Sequence, residues 1–327
     1  MASVPNTHLL TTQVGGHPGI VETEDGSSIG KPALPLEHKF YEAIYSDDPK
    51  NQDFKLLQPF IPKLMGALRL VGRLDETQSD GETLWLENVT YPFLKPNQMD
   101  IKLGTVLYDT VDSVPEQKRL RMIETAKQTT SKDTGIRITA FQVYKSTTPE
   151  VAVAFTKAEG KSLKAADLPD IFTRFFPVSG AADAPTECGL PRSTLLHILR
   201  GIQAEITKIR DVYGTIEMRM VGASFLIVYE ADWARAEEGI ERLEKEKAGL
   251  SGQTDDEEYE GEDDENNVDE DDDDDDEEKC AVPFVVKLID FAHTHITRGD
   301  GPDASVLQGM NKVLELIEGR INRLEKD

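Results

Sequence analysis

The chain has 327 residues, 38% of them hydrophobic, and a formal net charge of −25. That length suits one large domain or two lobes with a sizeable core. The charge is mostly local: residues 255–278 hold 19 acids and no Lys or Arg, leaving 42 acids against 36 bases elsewhere, so the folded part is only mildly acidic and direct nucleic-acid binding is not expected.

Two cysteines, Cys188 and Cys280, cannot build a disulfide framework and lack metal-ligand spacing, which fits free thiols in a reducing compartment. No apolar run reaches the length of a membrane span. Residues 1–12 have neither the basic start nor the apolar run of a secretory signal. A soluble protein of the nucleus and cytoplasm is expected.

In chain order, residues 1–12 read as a loose start. Residues 13–30 carry Gly15, Gly16, Gly19, Gly26 and Gly30, and Thr23-Glu24-Asp25-Gly26-Ser27 is a turn signal between short strands, which predicts a β-hairpin. Over residues 36–45, Leu36, Phe40 and Ile44 share a helical face with Tyr41 beside them. Residues 66–73 and 83–89 read as strands around a polar turn at Ser79-Asp80-Gly81. Residues 114–128 read as a charged helix whose start is marked by Pro115 and Glu116. Residues 136–144 are strand-like, residues 163–176 and 192–213 helical, and residues 217–229 one long strand region. Residues 249–279 are nearly devoid of apolar groups and should be disordered. A strand resumes at 283–291, and Val306, Met310, Val313, Ile317, Ile321 and Leu324 give residues 305–326 an apolar helical stripe.

The chemistry concentrates in Pro96-Asn97-Gln98-Met99-Asp100-Ile101-Lys102-Leu103-Gly104. On a strand, Asp100 and Lys102 point to one face. The acid can hold a hydroxyl and the base a phosphate oxygen, while Gly104 lets the backbone turn or approach a ligand closely. Upstream, Gln13-Val14-Gly15-Gly16-His17-Pro18-Gly19 is a Gly-rich turn of the kind that can cradle phosphates, without the Gly-Lys-Ser/Thr of a Walker loop. Lys31 emerges after the hairpin, and Glu37 on the next helix is placed to orient it. Downstream, Leu288-Ile289-Asp290-Phe291-Ala292-His293-Thr294 sets a hard carboxylate at the end of an apolar strand.

These two stretches, in this order, resemble the Pro-x-x-x-Asp-x-Lys-x-Gly and Ile-Asp-Phe signatures of the inositol polyphosphate kinases. The likeness extends from Gln13 to the final helix apart from the acidic insert, and is strongest to the fungal multikinase branch. It implies an α+β fold of two lobes, distantly protein-kinase-like, in a single domain over residues 1–327: an N-lobe at 13–90, a C-lobe at 91–327 with inositol-binding helices near 114–128, and the acidic insert as an internal loop. It also implies ATP and Mg2+. Lys31 and Glu37 would serve the nucleotide phosphates, and Glu87 and Val89 would flank the adenine. Asp100 would hold the ribose, Lys102 would stabilise the transferred phosphoryl group, and Asp290 would bind the metal. Lys118, Arg121, Lys127, Lys161 and His293 would face the inositol phosphate. The family usually shows Ser-Ser-Leu-Leu where this chain has Ala223-Ser224-Phe225-Leu226, leaving Ser224 as the only hydroxyl there.

The implied reaction converts inositol trisphosphate and tetrakisphosphate to the pentakisphosphate. An inositol hexakisphosphate kinase, and a nuclear interaction protein acting through the acidic run on basic nuclear or transcription proteins, are the alternative readings. A monomer is expected.

Overall fold

The computed structural model describes residues 6–10, 14, 19–69, 82–181, 187–251 and 280–326. Gly15, Gly16 and His17, the turn at 79–81 and the acidic run at 255–278 lie outside the described residues.

Five strands form an N-terminal antiparallel sheet: β1 (Thr7–Leu9), β2 (Val21–Thr23), β3 (Ser28–Ala33), β4 (Leu64–Arg69) and β5 (Glu82–Glu87), in the order β1-β2-β3-β5-β4. The expected hairpin is β2–β3. Its turn closes through Gly26, whose φ of 76° suits glycine and whose N–H donates to the Thr23 carbonyl at 2.9 Å. The start of the chain is not loose throughout, because β1 pairs with β2 from Thr7↔Thr23 to Leu9↔Val21. Helix α1 (Pro35–Tyr45) follows β3 and buries Phe40, Tyr41 and Ile44 of the face read from the sequence, with Glu37 in place of Leu36, which is only half-buried. Its short successor is α2 (Gln52–Lys55).

A linker over residues 88–95 leads into β6 (Pro96–Leu103) at the centre of a second sheet. That sheet adds β7 (Ile136–Tyr144), β8 (Val151–Phe155), β10 (Ser224–Glu230) and β11 (Phe284–Ile289), in the order β11-β10-β6-β7-β8. Between and after the strands come α3 (Glu116–Gln128), α4 (Ser131–Thr134), α5 (Lys157–Ser162), α6 (Leu168–Phe175), α7 (Arg192–Tyr213), α8 (Trp233–Ser251) and α9 (Ala304–Lys326).

The single strand expected over 217–229 is two strands. Gly222, with φ 82°, breaks it, so β9 (Met218–Met220) pairs with β12 (Thr294–Ile296) while β10 enters the main sheet. The helix expected over 163–176 is shorter. Asp167 binds back to the Lys164 N–H at 2.8 Å in a 3-10 turn, and α6 starts only at Leu168, with Pro169 in its first turn where a missing N–H costs nothing. The acidic segment expected from 249 begins inside α8, which runs to Ser251.

The core lies between the second sheet and α6, α7 and α9. Val306, Met310, Val313 and Ile317 on α9 are fully buried, each burial stabilising by about 1.5–3 kcal/mol. On β10, Phe225, Ile227, Val228 and Tyr229 are buried between two neighbouring strands, with Leu226 half-buried among them. This rigid centre fixes the register of β6, β10 and β11, on which the site stands.

Candidate active site

Register places the functional groups. On β10, Ser224 lies opposite Lys102 of β6 on one side and Ile289 of β11 on the other. Asp290, the next residue, therefore leaves its strand beside Lys102. The Lys102 ammonium donates to the Gly222 carbonyl at 2.8 Å, and lies 3.5 Å from both Ser224 Oγ and Asp290 Oδ2. Gly104 ends β6 at φ 100°, where a side chain would press on Ser305 Oγ at 3.1 Å.

Asp290 itself has φ 67°, a left-handed conformation that costs a non-glycine residue about 1–3 kcal/mol. Its neighbour holds it there. Phe291 stacks on Phe40 of α1 with ring centres 4.0 Å apart and meets Tyr41 edge-on at 5.8 Å, and its N–H donates to Glu37 Oε1 at 3.2 Å. The same Glu37 oxygen accepts from Lys31 Nζ at 2.8 Å, and Lys31 also donates to Asp290 Oδ1 at 2.8 Å. Burial pulls the Lys31 pKa down, and the Asp290 and Glu37 charges more than reverse this, leaving it above 10.5.

Asp100 is 1% exposed, and its Oδ1 has no hydrogen-bond partner among the described residues. Burial pushes its carboxyl up to about 6, against the pull of Lys102, with the Asp290 charge adding to the rise and Ser224 and Thr139 opposing it.

Two cavities meet at this cluster. The smaller, about 110 Å³, is walled by apolar Ile29, Leu86, Val89 and Leu226, and by Glu87, Gln98 and Asp100. The larger, about 790 Å³, is lined by Lys102, Arg121, Arg137, Lys157, Lys161 and His293. Lys31, Glu37 and Asp290 line both. An apolar slot thus opens onto a cationic chamber through one lysine and two carboxylates.

Of the residues singled out from sequence, Glu87, Val89 and Asp100 reach the slot, and Lys102, Arg121, Lys161 and His293 reach the chamber. Lys118 and Lys127 do not. Thr125, Met122 and Arg121 of α3 turn toward the chamber; at about 100° per residue Lys127 falls on the opposite face, and Lys118 sits a turn nearer the exposed helix start. Arg137 and Lys157 join the chamber unannounced. Arg137 stands on β7 directly across from Lys102, a pairing visible only once the register is known. A further tie was also missed: Asp109, in the loop after β6, accepts from or pairs with His295 Nε2 at 2.7 Å and lies 3.9 Å from His293 Nδ1, fixing one wall of the chamber.

The sequence profile of the family described as inositol polyphosphate kinase matches residues 83–318, and the chain belongs to that family. It is accordingly a phosphotransferase. It is 28% identical to the inositol polyphosphate multikinase of Saccharomyces cerevisiae over 97% of this chain and 99% of that one. It is 24% identical to human inositol hexakisphosphate kinase 1, over 72% of this chain and 52% of that one. Among solved structures it resembles the S. cerevisiae inositol phosphate multikinase Ipk2 in complex with ADP and Mn2+, with a TM-score of 0.59 and 25% identity over 90% of this chain and all of that one.

Proposed function

We propose that this chain is an inositol polyphosphate multikinase that transfers the γ-phosphoryl group of ATP to hydroxyls of inositol trisphosphate and tetrakisphosphate, giving the pentakisphosphate. The observation that carries this reading is the junction of the two cavities. The apolar slot takes the nucleotide, with its base between Ile29, Val89 and Leu226 and its phosphates at Lys31. The chamber takes the inositol phosphate: six cationic side chains face it against two carboxylates, a balance suited to a polyanion. On this reading the N-lobe is residues 13–90 and the C-lobe 91–327.

Phosphoryl transfer asks for positioning and charge stabilisation more than covalent chemistry. Asp100 holds the nucleotide ribose from the floor of the slot. Lys31 grips the phosphates and is kept in place by Glu37. Lys102 faces the transferred group as charge shifts between its oxygens. Arg121, Arg137, Lys157 and Lys161 hold the substrate phosphates so that a hydroxyl meets the γ-phosphorus in line.

The donor set at the junction is made of hard oxygens, Asp290 with the unpartnered Asp100 Oδ1 nearby, which fits an oxygen-seeking divalent cation such as Mg2+. Asp290 would hold it. When bound, such a cation neutralises charge on the nucleotide phosphates. The relative solved with ADP and Mn2+ supports nucleotide and divalent-metal use.

The likeness to an inositol hexakisphosphate kinase keeps a second reading in play, in which the product is a pyrophosphate. Purified protein with labelled ATP, Mg2+ and a panel of inositol phosphates separates them. Label moving from trisphosphate through tetrakisphosphate to pentakisphosphate supports the multikinase; label on the hexakisphosphate alone contradicts it. We further propose that the protein works as a monomer in nucleus and cytoplasm, and that its acidic run attracts basic nuclear or transcription proteins. Fluorescent tagging with and without residues 255–278 tests that placement. Among the described residues no helix is long and apolar enough to cross a membrane.

A further inference from the structure

Gln98 stands on β6 two residues before Asp100, on the same face of the strand, and lines the nucleotide slot. It is 4% exposed, and its Nε2 has no hydrogen-bond partner among the described residues. A buried amide nitrogen without an acceptor costs about 1–3 kcal/mol. Native proteins keep few such groups, and those they keep ask for an explanation.

The direction of β6 supplies one. The strand leaves the linker at Pro96 and runs toward the junction, so that Gln98, Asp100 and Lys102 succeed one another along a single face. Lys102 meets Asp290 at the phosphoryl end. Gln98 lies two pleats back, roughly 13 Å along the strand, with Asp100 between them. It therefore faces the part of the slot walled by Val89, Leu226 and residues 87–90, where the base is placed.

We propose that Gln98 reads the nucleotide base: its amide pairs with the polar edge of adenine. This deepens the nucleotide reading of the slot and rests on it. A primary amide offers a donor and an acceptor side by side, and turns about its last bond to present them in either order. That pattern matches the N6 donor and N7 acceptor of adenine. The amide, buried beside the slot with its nitrogen unmet, is then a group that can turn to meet a ligand.

The rival role is structural. Gln142 of β7 lies directly opposite Gln98 in the register, and its Nε2 is also buried without a partner. Two amides so placed serve each other if one of them turns. The two roles differ in what removing Gln98 does to the ligand-free protein. A base reader is a burden on the empty slot, so an apolar replacement leaves the melting temperature unchanged or raises it. A cross-strand amide pair stabilises the sheet, so the same replacement lowers it and strands Gln142.

The test is calorimetric titration of the full-length chain with ADP and with GDP, in Mg2+, for wild type, Gln98→Met and Gln98→Leu, beside thermal unfolding without ligand. The wild type should favour ADP. Both variants should lose about three- to tenfold in ADP affinity, the worth of one neutral hydrogen bond, and with it most of the preference over GDP. Their ligand-free melting temperatures should not fall, and KM for the inositol phosphate should stay within about twofold, since no contact there is removed. Unchanged ADP affinity and ADP-to-GDP ratio in both variants, beside a wild type that binds ADP, overturns the role of Gln98 alone. So does a lowered melting temperature with ADP affinity intact. A wild type that binds no ADP overturns the nucleotide slot, and this inference with it.

Discussion

Lys31 and Asp290 lie 259 residues apart in the chain, yet the lysine ammonium donates to the aspartate at 2.8 Å. One belongs to the N-terminal sheet and the other follows the last strand of the second sheet, so their contact closes the site across the linker. Glu37 secures both, through the Lys31 ammonium and through the Phe291 N–H.

This arrangement gives Lys31 a structural part beside the nucleotide role proposed for it. Lys31→Met leaves Glu37, 1% exposed, as a buried charge without its cation. Breaking a buried pair in this way costs about 3–5 kcal/mol. The double change Lys31→Met with Glu37→Gln should recover most of that stability while activity stays lost. Urea unfolding of the two variants checks it: a double variant no more stable than the single one would show that Glu37 is not the stranded group.

Asp100 sets a pH dependence of stability. Its folded pKa of about 6 lies above the ordinary 3.8, so the folded state holds the proton more tightly. Its contribution is full below about pH 4 and is lost as pH rises through 6. At pH 8 the buried carboxylate thus costs about 2–3 kcal/mol, which Asp100→Asn should return to the ligand-free protein. The gap should close toward pH 4. Denaturant unfolding of both proteins at pH 8 and pH 4.5 reads it directly, and a gap that widens in acid is the contrary result. Turnover by the Asn variant should be lost at either pH.

The chamber separates lysines and arginines that the sequence left together. Arg121→Ala and Lys161→Ala should each raise KM for the inositol phosphate by about tenfold or more, as charge-assisted bonds contribute roughly 1.5–3 kcal/mol. KM for ATP should move little. Lys118→Ala and Lys127→Ala, on exposed parts of the same helix, should change either KM by less than about threefold, as surface charges do. Steady-state kinetics on the four variants would reject this placement if Lys127 proved the most damaging.

The contrast shows how far the sequence carried. Asp100, Lys102 and Asp290 were singled out by their resemblance to family signatures, to which the alternating faces of a strand and a carboxylate at the end of an apolar run added support. The α1 face was legible from its 3.6-residue period. What stayed hidden depends on register and on long-range pairing. Arg137 gains meaning only opposite Lys102, and Lys157 only once α5 packs on β7. The break at Gly222 hid inside an apolar stretch, since a single glycine reads equally as part of a strand. Lys127 was carried over by likeness, which fixes a position along α3 and not the direction its side chain takes, and it is not among the residues that line the chamber.

Excising residues 255–278 should leave fold and turnover nearly intact. Beside its 19 acids the segment has only Tyr259 and Val268 as large apolar groups, too few to anchor it to a core. Salt near 0.15 M screens exposed charge beyond about 8 Å, so the field on an anionic substrate is modest. At low salt the deletion should speed substrate capture, and the difference should shrink as salt rises. An ionic-strength series of kcat/KM with melting temperatures tests this; a large loss at physiological salt would make the segment a structural or catalytic element.

Phosphoryl transfer is proposed where Lys102, which lines the larger cavity, meets Asp290, which lines both, 3.5 Å away. The most direct measurement is kcat for ATP-dependent phosphorylation of inositol trisphosphate by purified Lys102→Ala and Asp290→Ala proteins, each shown to be folded. Loss of one group that stabilises developing charge costs about 100-fold or more, and each variant should fall by at least that much. Turnover close to wild type in either folded variant would contradict the account.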